Sequence, residues 1–344
     1  MTADVAPGVP GHRRSSRSLR SSRRSSRSLR SSRLSLRSRR ARLALAPALL
    51  LLLVLVGCGS SSPSSGDPSA AGTLTVGAIP DQDPEKLQRL YGSVADYLGR
   101  ALGVPVTYRP VTDYAAAVSL FRTGDLQLVW FGGLTGAQAR QQTPGAVPLV
   151  QRDIDGSFHS LFLAHRGSGL APARDVAGLA ELRGRRFTYG SQSSTSGYLM
   201  PAYFLSQAGT DPQHGFAGEP GFSGSHDRTI DLVTSGTYEA GVVNEQVWKS
   251  RLAAGTVDLD QVEVLFRTPA FADYHWVLGP TAADRFGPDF PARVARAFED
   301  LDPARPGDAE VLSLFGARRF VPTTAASYRQ IEQVGRQLGL LSPG

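Results

Sequence analysis

Arg185-Arg186-Phe187-Thr188-Tyr189-Gly190-Ser191-Gln192-Ser193-Ser194-Thr195-Ser196-Gly197-Tyr198-Leu199-Met200-Pro201 decides how the folded part of this chain is read. Residues 187–189 are β-rich, Gly190 breaks the run, hydroxyls cluster, and a helical pattern continues through Tyr203, Phe204 and Leu205. Strand, hydroxyl-rich turn and helix together present backbone N–H groups at a helix N-terminus. Those donors, the helix dipole and the adjacent hydroxyls of Ser194, Thr195 and Ser196 suit a small oxyanion. One capping hydroxyl is ordinary at such a turn. Three in a row, before a glycine that lets a ligand approach the backbone, point to a binding site.

Charge divides the chain in two. The formal net charge of +7 suggests nucleic acid or anionic lipid, yet residues 1–57 hold 13 of the 37 basic residues and one acid, Asp4. The remainder carries 24 basic against 29 acidic residues, a net of −5. A mildly acidic folded part gives no argument for nucleic-acid binding.

Residues 13–32 repeat one Arg/Ser decapeptide twice without change. Such a segment repels itself and, with only Leu19 and Leu29 apolar, has little to bury. Residues 43–56 follow as an Ala/Leu/Val run interrupted by Pro47. This run is shorter than the roughly 20 residues that span a bilayer and matches the apolar region of a signal peptide. Residues 1–57 therefore read as a signal peptide with a long Arg/Ser-rich leader. Leu55-Val56-Gly57-Cys58 looks like a bacterial lipobox, and Cys58 is the only cysteine, so intramolecular disulfides and cysteine metal sites are excluded. Residues 58–72 supply the lipidated Cys58 and a Ser/Gly/Pro linker that spans about 20 Å. The expectation is an extracytoplasmic protein anchored to the membrane by lipid.

From residue 73 onward the patterns alternate. Strands are expected at 74–78, 104–108, 126–130, 147–151, 158–164, 187–189, 240–243 and 262–267. Helices are expected from the Asp83 cap to Gly103, from Asp113 through Phe121, after Gly133, over 175–182, up to Ala208, from His226 to Ser235, around Trp248, and over 291–301 and 324–340. Repeated strand–helix units imply an α/β fold with mainly parallel sheets. The expected division is one lobe from 73–164 and 268–344 and a second from 165–267, with ligand in the cleft between them.

Asp113-Tyr114, Trp130-Phe131-Gly132, Ser194-Thr195-Ser196-Gly197, Gly224-Ser225-His226-Asp227, Asn244-Glu245 and Asp273 occur in the order found in phosphonate/phosphite ABC-transporter binding proteins, which the chain resembles from about residue 73 to its end. The phrasing around Val111, Pro148, Tyr198 and Phe222 is similar to a subgroup named for selenate. The resemblance implies the two-lobed type II periplasmic binding-protein fold, no catalysis and no cofactor or metal. It implies a monomer that hands a small oxyanion to an ABC permease and its ATPase. Residue by residue, it implies that Ser194, Thr195 and Ser196 cradle the oxyanion, that Tyr114 and His226 donate to it, and that Glu245 and Asp273 hold an amine or a protonated oxygen. Where phosphonate binders place a tyrosine after the Asp155-Gly156 turn, this chain reads Phe158-His159, and His159 is the expected replacement donor. Taken singly, a helix cap at His226 and a packed ring at Tyr114 account for those residues equally well.

Two carboxylates beside an oxyanion repel it unless a proton or an ammonium lies between them. Phosphate, phosphite and aminophosphonates meet that demand more readily than fully ionised selenate. Two other functions use the same residues. A tethered sensor for a membrane kinase needs only the same domain. A serine hydrolase needs Ser194, His226 and Asp273 assembled as a triad, but Ser194 lacks the Gly-x-Ser-x-Gly elbow.

Overall fold

Residues 72–342 are described by the computed structural model. The expected signal peptide, Cys58 and nearly all of the expected linker lie outside the described residues. Among the described residues no helix is long and apolar enough to cross a membrane.

The chain begins with β1 (Leu74–Ala78) and α1 (Pro84–Leu102). Asp83 caps α1 by accepting from the Glu85 and Lys86 N–H groups, Pro84 opens it, and Gly103 closes it with a left-handed φ of 69°. The apolar stripe Leu87, Leu90, Tyr91, Val94, Leu98 and Leu102 is buried as its spacing predicts. β2 (Val106–Tyr108), α2 (Tyr114–Arg122), β3 (Leu128–Phe131), α3 (Gly133–Gln142), β4 (Val147–Pro148) and β5 (Val150–Arg152) follow. The second lobe contains β6 (Ser160–His165), β7 (Phe187–Tyr189), α4 (Met200–Gln207), β8 (Gly221–Phe222), α5 (His226–Thr234), β9 (Ala240–Asn244), α6 (Glu245–Ala253) and β10 (Val262–Arg267). The chain then returns through β11 (His275–Leu278), α7 (Pro280–Phe286), α8 (Phe290–Glu299), α9 (Pro306–Phe315), β12 (Phe320–Pro322) and α10 (Arg329–Gln337).

Two five-stranded sheets result, ordered β2-β1-β3-β11-β4 and β10-β6-β9-β7-β8. The α/β class is as expected, but each sheet is mixed, with two parallel and two antiparallel pairings. The antiparallel pairings come from strands that enter each lobe from the other. One of them, β11, lies between β3 and β4 and was not anticipated. Its four residues are all buried, so no polar/apolar alternation marks them as a strand. Helices α7 and α9 were also not anticipated, and the 175–182 segment is a 3-10 helix, Val176–Leu182.

The lobe boundary expected at 164/165 needs correction. β6 pairs with β9 and β10 and belongs wholly to the second sheet, so the chain crosses before Ser160. The two crossings lie side by side: Phe158 and Phe271 exchange N–H···O bonds of 2.8 and 3.0 Å, and Asp273 N donates to Asp155 O at 3.0 Å. Two paired strands are a natural hinge.

A buried cation braces that hinge. Arg152 donates to Asp155 through its backbone N–H, Nε and Nη2, at 2.9, 2.8 and 2.6 Å, and to the Phe315 carbonyl at 2.8 Å. Its guanidinium also lies over the rings of Trp130, Phe158 and Tyr274. Removing Asp155, which is fully buried, leaves an uncompensated buried charge. Asp155→Ala is therefore expected to cost about 3–5 kcal/mol, a fall in Tm on the order of 10 °C by differential scanning calorimetry. A loss under about 1 kcal/mol is inconsistent with a bracing role.

Candidate functional site

β7 ends at Tyr189, Gly190 turns the chain, and Ser194 caps a turn of π-helix, Thr195–Leu199, by accepting from Gly197 N at 2.9 Å. Pro201 has no N–H, so the Gly197 carbonyl cannot be used in the ordinary helical way. It accepts instead from Gly190 N at 2.9 Å, which locks the turn onto the strand. Thr195 and Ser196 occupy the first positions of the turn, where backbone N–H groups lack intrahelical partners. Ser160 Oγ supports the turn from β6 by donating to Ser196 O at 2.7 Å.

A second helix start faces this one from the other lobe. At the N-terminus of α3, Leu134 N donates to Thr195 Oγ1 and Gly133 N donates to Asp273 Oδ1, both at 3.0 Å. A Cβ on Gly132 would stand 3.1 Å from both acceptors, so a side chain there would crowd the junction. Gly197 has the same role opposite, where a Cβ would meet Ser194 Oγ at 2.9 Å and His226 Cε1 at 3.1 Å. Two helix N-termini thus converge, and their dipoles favour negative charge between them.

Ser194, Thr195, Ser196, Tyr114, His226 and Asp273 are all buried and meet at this junction, the chamber between the two helix starts. Tyr114 Oη, Ser196 Oγ, Asp273 Oδ2 and Asp81 Oδ1 are buried without a hydrogen-bond partner among the described residues. Buried polar atoms without partners are rare in native proteins. Burial pushes the Asp273 carboxyl up to about 7, opposed by the Gly133 N–H and the facing Thr195 and Ser196 hydroxyls. The Tyr114 phenol is held well above its ordinary value by burial and by the charges of Asp81 and Asp273, with the facing Ser194 hydroxyl opposing them.

Two expected members are elsewhere. His159 bonds through Nδ1 to the Thr268 carbonyl at 2.7 Å. Its neighbour Ser160 points at the cradle, and strand alternation turns His159 the other way. Glu245 is half-surrounded by cations, 3.0 Å from Arg267 and 3.1 Å from Lys249. Partial burial raises its carboxyl, but these two cations win and hold it below the usual range. The residue before it, Asn244, ends β9 and is the one that turns inward.

The second buried carboxylate is Asp81, which the motif reading passed over. Tyr274 Oη donates to Asp81 Oδ2 at 2.8 Å and accepts from Asn244 Nδ2 at 2.9 Å. Burial pushes the Asp81 carboxyl up to about 6, opposed by the Tyr274 hydroxyl and the Arg152 charge. His226 accepts from Asn244 N through Nδ1 at 3.3 Å, and burial lowers its pKa to about 4. The ring is therefore neutral near pH 7, with its remaining proton on Nε2, 3.5 Å from Tyr274 Oη. These bonds tie His226 to Asn244 and Tyr274 and Asp273 to Gly133, so no Ser194–His226–Asp273 triad is assembled. The only sequence signal for Asp81 was its position just past the C-terminal end of β1, where α/β folds place ligands.

Hydrogen bonds also join the lobes around the chamber. His226 N donates to Asp81 O, Asp83 N to Asp227 Oδ2, and Lys86 Nζ to Ser250 Oγ, each at 2.9 Å. Among the described residues no cluster of His, Cys, Asp and Glu is suited to hold a metal ion.

Comparison with known proteins matches residues 76–328 to the family described as "ABC transporter, phosphonate, periplasmic substrate-binding protein". The chain is 43% identical over 278 residues to the probable ABC transporter phosphite binding protein PhnD1 of Prochlorococcus marinus, covering 81% of this chain and 93% of that one. The solved structure of that protein with methylphosphonate superposes with a TM-score of 0.77, covering 79% of this chain and all of the other. The phosphate-import protein PhnD of Mycolicibacterium smegmatis is 26% identical over 314 residues, covering 85% of this chain and 94% of that one. The fold is that of type II periplasmic binding proteins, and the relatives are binding proteins rather than enzymes. The chain belongs to the phosphonate-binding family of ABC-transporter periplasmic substrate-binding proteins.

Proposed function

We propose that this protein is a lipid-anchored, extracytoplasmic receptor that captures a small phosphorus oxyanion and delivers it to an ABC permease and its ATPase. The observation that carries this reading is the convergence of Tyr114 Oη, Ser196 Oγ and Asp273 Oδ2 on one chamber, buried and without partners among the described residues. Tyr114 and Ser196 offer hydroxyl donors, the helix starts offer dipoles, and Asp273 accepts a ligand proton. Names carried by the relatives (phosphite, methylphosphonate and phosphate) agree with a ligand that brings a proton of its own. Selenate brings none, so Asp273 would have to be the protonated partner. A thermal-shift screen of residues 73–344 against phosphite, methylphosphonate, phosphate and selenate tests the class, because ligand at ~100 Kd adds about 2.7 kcal/mol of stability. No shift with any phosphorus oxyanion overturns the reading.

Asp273 makes the sharper test. Its Oδ1 is committed to Gly133 N, so in Asp273→Asn the amide NH2 replaces Oδ2 facing the ligand. A ligand proton then meets a donor instead of an acceptor, which costs roughly 1–3 kcal/mol. Calorimetry should show phosphite or methylphosphonate weakened about ten- to a hundredfold, while selenate and sulfate bind unchanged or tighter. If phosphite affinity is unchanged, Asp273 does not hold a ligand proton.

The same variant has a pH signature without ligand. A folded-state pKa raised to about 7 means the native state holds this proton more tightly than the unfolded chain. That contribution is fully present below the unfolded value of about 3.9 and is lost as pH rises through about 7. The Tm of Asp273→Asn should therefore match wild type near pH 4 and exceed it by several degrees near pH 8. A Tm difference that does not change with pH contradicts the buried-carboxyl assignment.

Anchoring rests on Cys58 after Leu55-Val56-Gly57. Cys58→Ser is expected to yield unprocessed or soluble protein on fractionation and mass spectrometry. Unchanged mass and membrane retention exclude the lipid anchor.

A further inference from the structure

Asp81, Tyr274 and Asn244 form a hydrogen-bonded partition, each residue no more than 3% exposed. One face of it belongs to the chamber. Tyr274 Oη lies 3.5 Å from His226 Nε2, and Asn244 N donates to the other nitrogen of the same ring. The other face lines a separate cavity of about 290 Å³ between the lobes. Tyr114, Ser194, Thr195, Ser196 and Asp273 do not line that cavity.

Three cations, Arg152, Lys249 and Lys86, and one carboxylate, Asp81, line the cavity. Arg152 is committed to Asp155 and Lys249 to Glu245, but Lys86 bonds to the neutral Ser250 hydroxyl. The helix starts and hydroxyls take the charged oxygens of an oxyanion. A carbon substituent has no charge to offer them and would be left to face the partition.

We propose that the Asp81–Tyr274–Asn244 partition sets the upper size limit of the ligand, and that the cavity behind it is a second subsite fitted to an anionic tail. This rests on the oxyanion reading of the chamber. Asn244 is the controlling residue because shortening it leaves the Tyr274–Asp81 bond in place. Its Oδ1 also caps α6 by accepting from Val247 N at 2.6 Å, a role that serine fills well.

Calorimetry on wild type and Asn244→Ser with methylphosphonate, phosphonopropionate and aminopropylphosphonate tests the proposal. Wild type should bind methylphosphonate and reject both longer ligands by about a hundredfold or more. Asn244→Ser should shift the ratio of phosphonopropionate to methylphosphonate affinity at least about tenfold toward the longer ligand, whatever it does to methylphosphonate binding itself. The gain on aminopropylphosphonate should be smaller, and adding Lys86→Glu should reverse the order of the two tails. The proposal is overturned if wild type binds phosphonopropionate as tightly as methylphosphonate, a result that does not depend on any variant folding. It is also overturned if Asn244→Ser leaves the ratio of phosphonopropionate to methylphosphonate affinity unchanged. Wild type that binds none of the three instead removes the oxyanion reading beneath it.

Discussion

A carboxylate buried at a helix start organises this protein. Asp273 sits on the return crossing between the lobes, bonds to the first N–H of α3 in one lobe, and faces the Thr195–Ser196 turn of the other. It thus connects hinge, lobe and cradle in a single residue. Burial works against its charge, while the helix dipole and the Gly133 N–H work for it. The balance leaves it near neutrality, where a proton can be shared with a ligand. A surface carboxylate stays ionised and repels an anion, so depth of burial is what makes the site usable.

Such a chamber requires close approach, and the surrounding residues provide it. Gly132 and Gly197 lack the Cβ that would crowd Asp273, Thr195 and His226. Pro201 frees one carbonyl, and Gly190 uses it. Behind these, Ser160, Tyr274 and Asn244 hold the cradle and the His226 ring by specific bonds. Arg152, stacked on three aromatic rings and paired with Asp155, keeps the two crossings together. These supports make their own hydrogen bonds, while Tyr114 Oη, Ser196 Oγ, Asp273 Oδ2 and Asp81 Oδ1 have no partner among the described residues.

Closing such a site takes contacts that can be made and broken. The bonds that join the lobes beside the chamber include backbone N–H groups meeting single acceptors, as at Asp81 O and Asp227 Oδ2. Modest bonds of this kind, each worth about 1 kcal/mol net, suit a hinge that must open again. The paired crossings at Phe158 and Phe271 are where such a movement would turn.

The sequence by itself determined what local physics controls. The hydroxyl turn at Ser194, Thr195 and Ser196, the caps at Asp83 and Asp113, the first helix stripe and the α/β alternation all follow from residues within a turn or two of each other. The family motifs added Tyr114, His226 and Asp273, and the fold gathers these with the hydroxyls in one chamber. Only the tertiary structure decided which carboxylate joins Asp273 there. Glu245 and Asp81 are both acids at the edge of an element, and only Lys249, one helical turn past Glu245, marks a local difference between them. Arg267 and Lys249 take Glu245, whereas Tyr274, 193 positions away, selects Asp81. Strand register likewise turned Asn244 and Ser160 inward and His159 outward. β11 stayed hidden because a strand buried on both faces shows no alternation. Side-chain direction and long-range pairing arise when the sheets assemble, and local sequence holds no record of them.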